Sequence, residues 1–370
     1  MLRMQVILQA DKPVMLGEFG ISRFGTGALY DLMDARRMMP TDNFRKTRFS
    51  RASFMNAHAF KKTYAPKKSG CRGCHILCKK ITKNQTTMPE FETMSHFSAL
   101  IDNSDMHTVV RANRICNEMG MDTISAAATL ACFSEISQKR LSPNDIVSLL
   151  VDIGKKRGLG TALGRGAESY ATRSGRSDLA MTVKRQELPA YDPRGAYGMA
   201  LAYATSTRGG CHLRAYPISH EILRKPVPTD RFTFNGKARI IKIGEDLNAV
   251  ADSLTACKFI FFAASMEEYA KIYTAVTGIN TSAQDLFKIG ERIYYNERIM
   301  NAANGFTEKD DDLPDRFFTS PGYENENIDI HPIDREAFLE ARSNYYIVRK
   351  LDKKGMPVPE TAKELGLDVF

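Results

Sequence analysis

The chain has 370 residues, 43% of them hydrophobic and 26% charged, with seven cysteines and no tryptophan. That composition excludes intrinsic disorder, and the length supports a core that needs no disulfide or metal staple merely to fold. The net charge of +9 is unevenly placed: Asn43 to Pro89 holds twelve Lys or Arg and no Asp or Glu, so the rest is slightly acidic.

The opening run, Met1 to Pro13, is too briefly apolar for a signal-peptide core and has no small-residue cleavage site. The most apolar stretch, Ala256 to Ala264, is far short of the roughly 20 residues of a membrane span. A cytoplasmic protein with no membrane partner is expected. Its odd cysteine count then points to metal or redox chemistry rather than a disulfide framework.

Helical periodicity dominates in chain order. Asp31 to Met38 predicts a short amphipathic helix stopped by Pro40. Val109, Ala112, Cys116 and Met119 share one helical face that Gly120 ends, and Ser142-Pro143 caps the next stripe, Ile146 to Ile153. Gly198 to Ala204 reads as a small-residue helix after the irregular, proline-rich Leu188 to Gly195. Ala238 to Ile243 is the best strand candidate, followed by a stripe of Leu247, Val250, Ala251, Leu254 and Cys257. A long helix carries Leu286, Ile289, Ile293 and Tyr294, and Glu308 to Asp315 reads as a solvated acidic loop. The expected fold is all-α and multihelical, two helical domains with minor β content, divided at the polar Ser174 to Leu179 link into 1–178 and 179–370.

The strongest chemical signal is Cys71-Arg-Gly-Cys74-His-Ile-Leu-Cys78. Three thiols at this spacing can converge on a [4Fe–4S] cluster, which takes a fourth ligand from elsewhere. Zinc competes, but no second C-x2-C or H-x3-H pair is present. Cys116, Cys132, Cys211, Cys257 or His75 could complete the set; Cys116 and Cys132 fall on apolar faces, and spacing does not separate Cys211 from Cys257.

Lys61, Lys62, Lys67, Lys68, Arg72, Lys79 and Lys80 surround this loop. Such a field steers an acidic electron carrier, grips phosphates, or is simply a solvated face. Nucleic acid is the weakest of these, because Phe60 and Tyr64 are the main interleaved aromatics. Arg208-Gly-Gly-Cys211-His212-Leu-Arg214 is a second candidate, with paired glycines that let backbone approach an anionic ligand. Glu90 and Glu92 follow the cysteine loop and read, by themselves, as a helix N-terminal charge pair. Gly25-Thr-Gly27 is too little for a phosphate loop.

These pieces, together with Pro40 to Arg45, Pro89-Glu-Phe-Glu-Thr93, Cys116 to Ser125, Glu187 to Gly195, Leu201 to Gly209, Asp252 to Cys257, Gly290 to Ile293, Leu313 to Phe317 and Gly355 to Pro359, run in order across nearly the whole chain. In that order they resemble the tungsten-dependent aldehyde ferredoxin oxidoreductase family. The resemblance implies a tungsten (or molybdenum) bis-pterin beside a [4Fe–4S] cluster, oxidation of aldehydes to carboxylic acids, and ferredoxin as electron acceptor. It selects Cys257 as the fourth cluster ligand with Cys71, Cys74 and Cys78, because Asp252-Ser-Leu-Thr-Ala-Cys257 stands where the family has Asp-x-x-Gly-Leu-Cys. Its companion pterin motif reads Asn117-Glu-Met-Gly-Met-Asp122, so Asn117, Asp122, Asp252 and Arg214 become cofactor-binding candidates. Glu92 becomes the general base and His212 the donor to the carbonyl oxygen.

The chain departs from the family at His75 for proline, Asn117 for aspartate, and Thr255-Ala256 for Gly-Leu. The match also begins at the family's second domain. The β-rich domain that covers one side of the pterin pair is expected from a separate subunit, or is missing because the chain is a truncated product of a longer gene; the alternative to an enzyme is a cluster-bearing electron-transfer module or an inactive truncated remnant without pterin chemistry.

Overall fold

A computed structural model describes residues 20–262, 264–323 and 328–367. The N-terminal run read for a signal sequence lies outside the described residues, as does part of the apolar stretch 256–264. The described chain is multihelical, with two small antiparallel hairpins as its sheets. No described helix is long and apolar enough to cross a membrane.

The contacts divide the chain into two compact units. One contains 20–195 and the described part of Pro314–Ile333; the other contains Ala196–Leu313 and Asp334 onward.

After short helical turns over Ile21–Phe24 and Thr26–Leu29, the first unit contains α1 (Tyr30–Ala35) and α2 (Ala57–Tyr64). Strands β1 (Lys67–Ser69) and β2 (Lys79–Ile81) pair antiparallel, Lys67 opposite Ile81, and carry the cysteine loop at their tip. Next come α3 (Phe91–Ser95), which runs into a π-helical turn over His96–Leu100, then α4 (Met106–Met119) and α5 (Thr123–Ser137). Asp105 caps α4 and Gly120, at φ +67°, ends it, as the periodicity predicts. Helix α6 (Pro143–Gly154) starts at Ser142 with a reciprocal capping box to Asp145. Strands β3 (Thr182–Val183) and β4 (Gln186–Glu187) form the second hairpin. After them the proline-rich stretch is held by Arg194, fully buried, which donates to the Asp192 carboxylate and to the carbonyls of Phe44 and Ser320.

The second unit contains α7 (Tyr197–Thr205), α8 (Lys237–Ser253), α9 (Met266–Thr277), α10 (Ala283–Ala303), α11 (Arg335–Val348) and α12 (Pro359–Glu364). Its core joins Leu201, Ile241, Tyr295, Ile299, Tyr345 and Ala362. Three expectations fail here. Ala238 to Ile243 lies inside α8 rather than in a strand. The helical period that buries Lys237, Ala238, Ile241, Gly244, Glu245 and Asn248 runs through 17 residues and overrides a six-residue alternation. Cys257 falls beyond the end of α8, exposed, and is not part of its apolar stripe. The acidic loop is not simply solvated: Asp311 is buried against Arg298 and Tyr346, and Asp312 pairs with Arg335.

Candidate functional site

In the first unit the three cysteines occupy the turn that joins β1 to β2. The Cys74 amide donates to the Cys71 carbonyl at 3.1 Å, and Ser69 bridges to Cys78, so the loop curls with its thiols at the tip. None of the three is in a disulfide; Cys71 is exposed, and Cys74 and Cys78 are half-buried. Among the described residues no three His, Cys, Asp or Glu side chains close around a single ion. Three cysteines on one curled turn, none of them in a disulfide, are the kind of donors that a cubane cluster takes.

The turn is tied down from below. Glu90 accepts from Lys79 Nζ and from the Thr26 hydroxyl, and Thr26 Oγ1 in turn accepts the Phe91 amide at 2.9 Å. Gly25, at φ +74°, lies so near the loop that a Cβ there would meet the Cys78 carbonyl oxygen at 3.0 Å. Gly25-Thr-Gly27 is therefore the floor of the cysteine hairpin, a role its sequence did not show. Glu90 acts here too, besides standing at the N-cap of α3 with Glu92 in the first turn, where the charge-pair reading puts them. Burial opposes the Lys79 charge, but Glu90 and then the Cys78 and Cys71 thiolates hold its pKa above the ordinary value.

Lys80 departs from the expected basic collar. Its ammonium points inward, donating to the Leu77 carbonyl at 2.9 Å and the Lys79 carbonyl at 3.0 Å, and burial draws its pKa down to about 8. Lys62, Lys67, Lys68, Arg72 and Lys79 remain exposed, and Lys61 is half-buried.

Glu92 sits in the first turn of α3, beneath the chain at 188–190. Its Oε2 accepts the Ala190 amide at 2.7 Å. Burial pushes the carboxyl up to about 8 against that hydrogen bond, with Asp122 adding to the rise. Thr93 and Thr123 hydroxyls meet at 2.9 Å, which brings the start of α5 to α3 and so Asp122 into the electrostatic range of Glu92. One turn on, His96 is fully buried between the carbonyls of Glu92 and Leu188. Burial draws this imidazole down to about 4. His96 escaped the sequence reading, although its i+4 spacing from Glu92 on a helix was there to be seen.

The two motifs proposed for pterin contact are the same backbone device. In the first, Gly120 leaves α4 left-handed and the Met121 amide returns to the Cys116 carbonyl at 2.8 Å. In the second, Thr255 is left-handed at φ +52° and the Ala256 amide returns to the Ala251 carbonyl at 2.8 Å. Each is the helix-ending pattern in which a residue past the cap bonds back one turn. Asp122 and Cys257 occupy equivalent places immediately after it, both exposed. Asp122 uses Oδ1 to cap α5 through the Ser125 amide at 2.8 Å. Asn117 donates to the Asn113 carbonyl at 2.7 Å, and Asp252 pairs with Lys258 at 2.6 Å.

In the second unit the loop after α7 carries Cys211, His212 and Arg214. Cys211 is buried, so the exposed Cys257 is the accessible thiol of the two. Helix α10 holds the loop: the Thr207 amide donates to Tyr294 Oη at 3.2 Å and Asn301 Nδ2 to the Thr207 carbonyl at 2.9 Å. Glu297 spans the loop, accepting Thr207 Oγ1 at 2.6 Å and the Arg214 guanidinium at 2.7 Å. Helix α8 comes close enough that a Cβ on Gly244 would meet the Ala215 carbonyl oxygen at 2.5 Å. Arg214 Nε is buried with no hydrogen-bond partner among the described residues. A donor left over in this way fits a ligand rich in acceptor oxygens and nitrogens, as a pterin is. The structure thus groups Cys71, Cys74, Cys78, Glu92, Asn117 and Asp122 in one unit, and His212, Arg214, Asp252 and Cys257 in the other.

The family profile described as aldehyde ferredoxin oxidoreductase, domains 2 and 3, matches residues 4–367. Tungsten-containing aldehyde ferredoxin oxidoreductases of Pyrococcus furiosus and Thermococcus kodakarensis are each 32% identical to 95% of this chain. The chain spans 61% of the length of these relatives. Among solved structures, a chain of the BamBC active-site complex of benzoyl coenzyme A reductase, bound to 1,5-dienoyl-CoA, shares the fold. Its TM-score is 0.75 at 17% identity, over 99% of this chain and 63% of that one. The chain belongs to the aldehyde ferredoxin oxidoreductase family and corresponds to its domains 2 and 3.

Proposed function

We propose that this chain serves an oxidoreductase that converts aldehydes to carboxylic acids and hands the electrons to ferredoxin. The observation that carries the reading is the cysteine hairpin: three cysteines on one turn, none in a disulfide, inside an acid-free basic segment, in a chain of this family. A tungsten or molybdenum bis-pterin with a [4Fe–4S] cluster supplies, when bound, the two-electron acceptor and the one-electron relay. Cys71, Cys74, Cys78 and Cys257 would hold the cluster. Asn117, Asp122, Asp252 and Arg214 would contact the pterins, the buried Arg214 Nε donating to one of them.

Oxidation of an aldehyde with water to an acid releases two protons and two electrons. Glu92, sequestered under Ala190 and Leu188, accepts a proton in its ionised form, and burial raises its affinity for that proton. His212, on the loop clamped by Glu297, donates to the substrate oxygen. The exposed lysines and Arg72 attract an acidic carrier to the cluster side. Because the chain spans 61% of its relatives, the remaining cofactor enclosure would come from polypeptide beyond these residues, in the same protein or a separate subunit. We place the working protein in the cytoplasm, where free thiols persist.

One observation favours a second reading, a cluster-bearing electron-transfer module without pterin chemistry. Asp252 is already engaged by Lys258, and Arg214 by Glu297. Anaerobic preparation with tungstate, molybdate and iron, followed by metal analysis and aldehyde-dependent viologen reduction, separates the two. Cluster iron with tungsten or molybdenum and aldehyde turnover supports the enzyme. Cluster iron with neither metal, even beside the complementary domain, leaves the electron-transfer reading, and no iron at all overturns both.

A further inference from the structure

The buried pair of Glu92 and His96 carries an inference about where a proton sits. His96 is 0% exposed, and each of its ring nitrogens faces a backbone carbonyl: Nδ1 the Glu92 oxygen at 3.0 Å, Nε2 the Leu188 oxygen at 3.1 Å. Carbonyl oxygens only accept. A neutral imidazole has one N–H and one bare lone pair, so in that form one nitrogen would press its lone pair against an oxygen at hydrogen-bond distance, with no water to intervene. The imidazolium has two N–H groups and satisfies both carbonyls. The counter-charge is at hand, since Glu92 Oε2 lies 3.8 Å from His96 Nδ1 and is itself fixed by the Ala190 amide at 2.7 Å.

We propose that His96 holds the single proton of this buried pair as an imidazolium and so keeps Glu92 a carboxylate. His96 is thereby a positioning residue for the base. Burial penalises either charge alone, raising the Glu92 carboxyl and lowering the His96 imidazole. Moving one proton from Glu92 to His96 leaves the net charge of the pair unchanged, however, and the carbonyls decide which side keeps it. The other group acting on both is Asp122, whose negative charge disfavours a second carboxylate and favours the imidazolium. Asp122 therefore strengthens the pair's hold on its one proton without choosing its location. The π-helical turn beginning at His96 matches a position where the regular ladder gives way to function.

The location of the proton stands on this geometry. Its use, an ionised base ready to take a proton from the reacting water or substrate, rests on the role proposed for Glu92. The test therefore reads location without catalysis. In the full chain labelled with ¹⁵N-histidine, the His96 ring is the one with exchange-protected N–H groups, because His58, His75, His107 and His331 are exposed and His212 and His220 half-buried. At pH 7 both His96 nitrogens should carry protons, and they should keep them through pH 7.5, where an exposed histidine is about 90% neutral. In Glu92→Gln, which removes the counter-charge, the ring should hold its proton at least tenfold less tightly and lose it at a pH at least about one unit lower. One protonated and one bare nitrogen in the parent chain at pH 7 overturns the proposal. So does an unchanged titration in Glu92→Gln. Loss of aldehyde oxidation, by contrast, would bear only on the function proposed for Glu92.

Discussion

Thr255→Gly should stabilise the second unit, because a β-branched residue there stands in a backbone conformation that glycine adopts freely. Thr255 has φ +52° at the end of α8, and its counterpart in the first unit, at φ +67°, is Gly120. A left-handed backbone costs a non-glycine residue about 1–2 kcal/mol, and branching at Cβ adds crowding. Glycine gives back about 0.5–1 kcal/mol through the freedom of its unfolded chain. Thr255 is exposed, so little packing is lost on substitution. The net expectation is a gain of about 1 kcal/mol, which for a unit of this size raises the melting temperature by about 2–4 °C.

Circular dichroism melts of the parent, Thr255→Gly and Thr255→Ala measure this directly. Alanine keeps the Cβ and should recover only the branching part. A local readout is available as well: the Ala256 amide, bonded to the Ala251 carbonyl at 2.8 Å, should exchange about fivefold more slowly in the glycine variant. If Thr255→Gly melts at or below the parent while Thr255→Ala matches it, the strain assigned to Thr255 is not there. The equivalence of the two caps would then be geometric without being energetic.

Three further outcomes follow from the same structure. Gly25→Ala forces a Cβ to within 3.0 Å of the Cys78 carbonyl oxygen at a φ of +74°, so the cysteine hairpin should shift and reconstituted iron should fall at least severalfold, while far-UV dichroism stays near that of the parent. Glu297→Ala removes the residue that spans the His212 loop, and amides at 206–214 should exchange about tenfold faster by mass spectrometry, with α10 itself unaffected. The Glu92 and His96 pair should make stability fall at mildly alkaline pH. An unfolded histidine has lost its proton above about pH 6.5, whereas the folded pair keeps one up to about 8, so folding binds a proton in that window. Stability then drops as pH rises from about 6.5 to about 8, by about 2 kcal/mol. Urea midpoints at pH 6 and pH 8.5 test it, and the slope should flatten in the Glu92→Gln, His96→Gln double variant.

Much of the helical frame was legible because its signals are local. The Ser142-Pro143 cap and the Gly120 stop are set by residues within a turn or two of one another, and the long helix α10 is present although its buried face runs through Leu286, Gly290 and Tyr294 and leaves Ile289 exposed. Ala238 to Ile243 misled because six residues satisfy alternation and helix alike; only the burial of Gly244, Glu245 and Asn248 further along decides between them. Long-range polar partners were out of reach for a related reason. Nothing near Asp311 in sequence announces that Arg298 and Tyr346 will cover it, and nothing in Asp192-Pro-Arg194 shows a guanidinium buried against the Phe44 and Ser320 carbonyls. Lys80 reads as one more charge in a basic run, yet alternation along a hairpin sends it inward while Lys79 faces Glu90. The candidate site could be proposed as a set of residue types, whereas the contacts that Thr26, Glu90, His96 and Glu297 make beneath it could not be read from the sequence.

The departures from the family motif bear on that difference. The sequence alone makes Thr255-Ala256 look like erosion of a cofactor site, since a glycine and a leucine are gone. The backbone shows what the glycine is for: it lets the chain leave a helix left-handed, so that the next side chain but one, Asp122 in one motif and Cys257 in the other, emerges at the cap. Thr255 adopts that conformation as well, and the Ala256 amide still closes the turn on Ala251 as Met121 does on Cys116. Lys258 adds a tether on the other side, bonded to Asp252 and to Asn248 Oδ1 at 3.0 Å. The substitution therefore changes the cost of the turn without changing where it delivers the residue at its end. Cys257 is exposed just past that cap. The two motifs differ in another respect: Asp252 pairs with Lys258, whereas Asn117 donates to the Asn113 carbonyl, so the chemistry of the second motif should be sought at Asp252 rather than at the missing glycine.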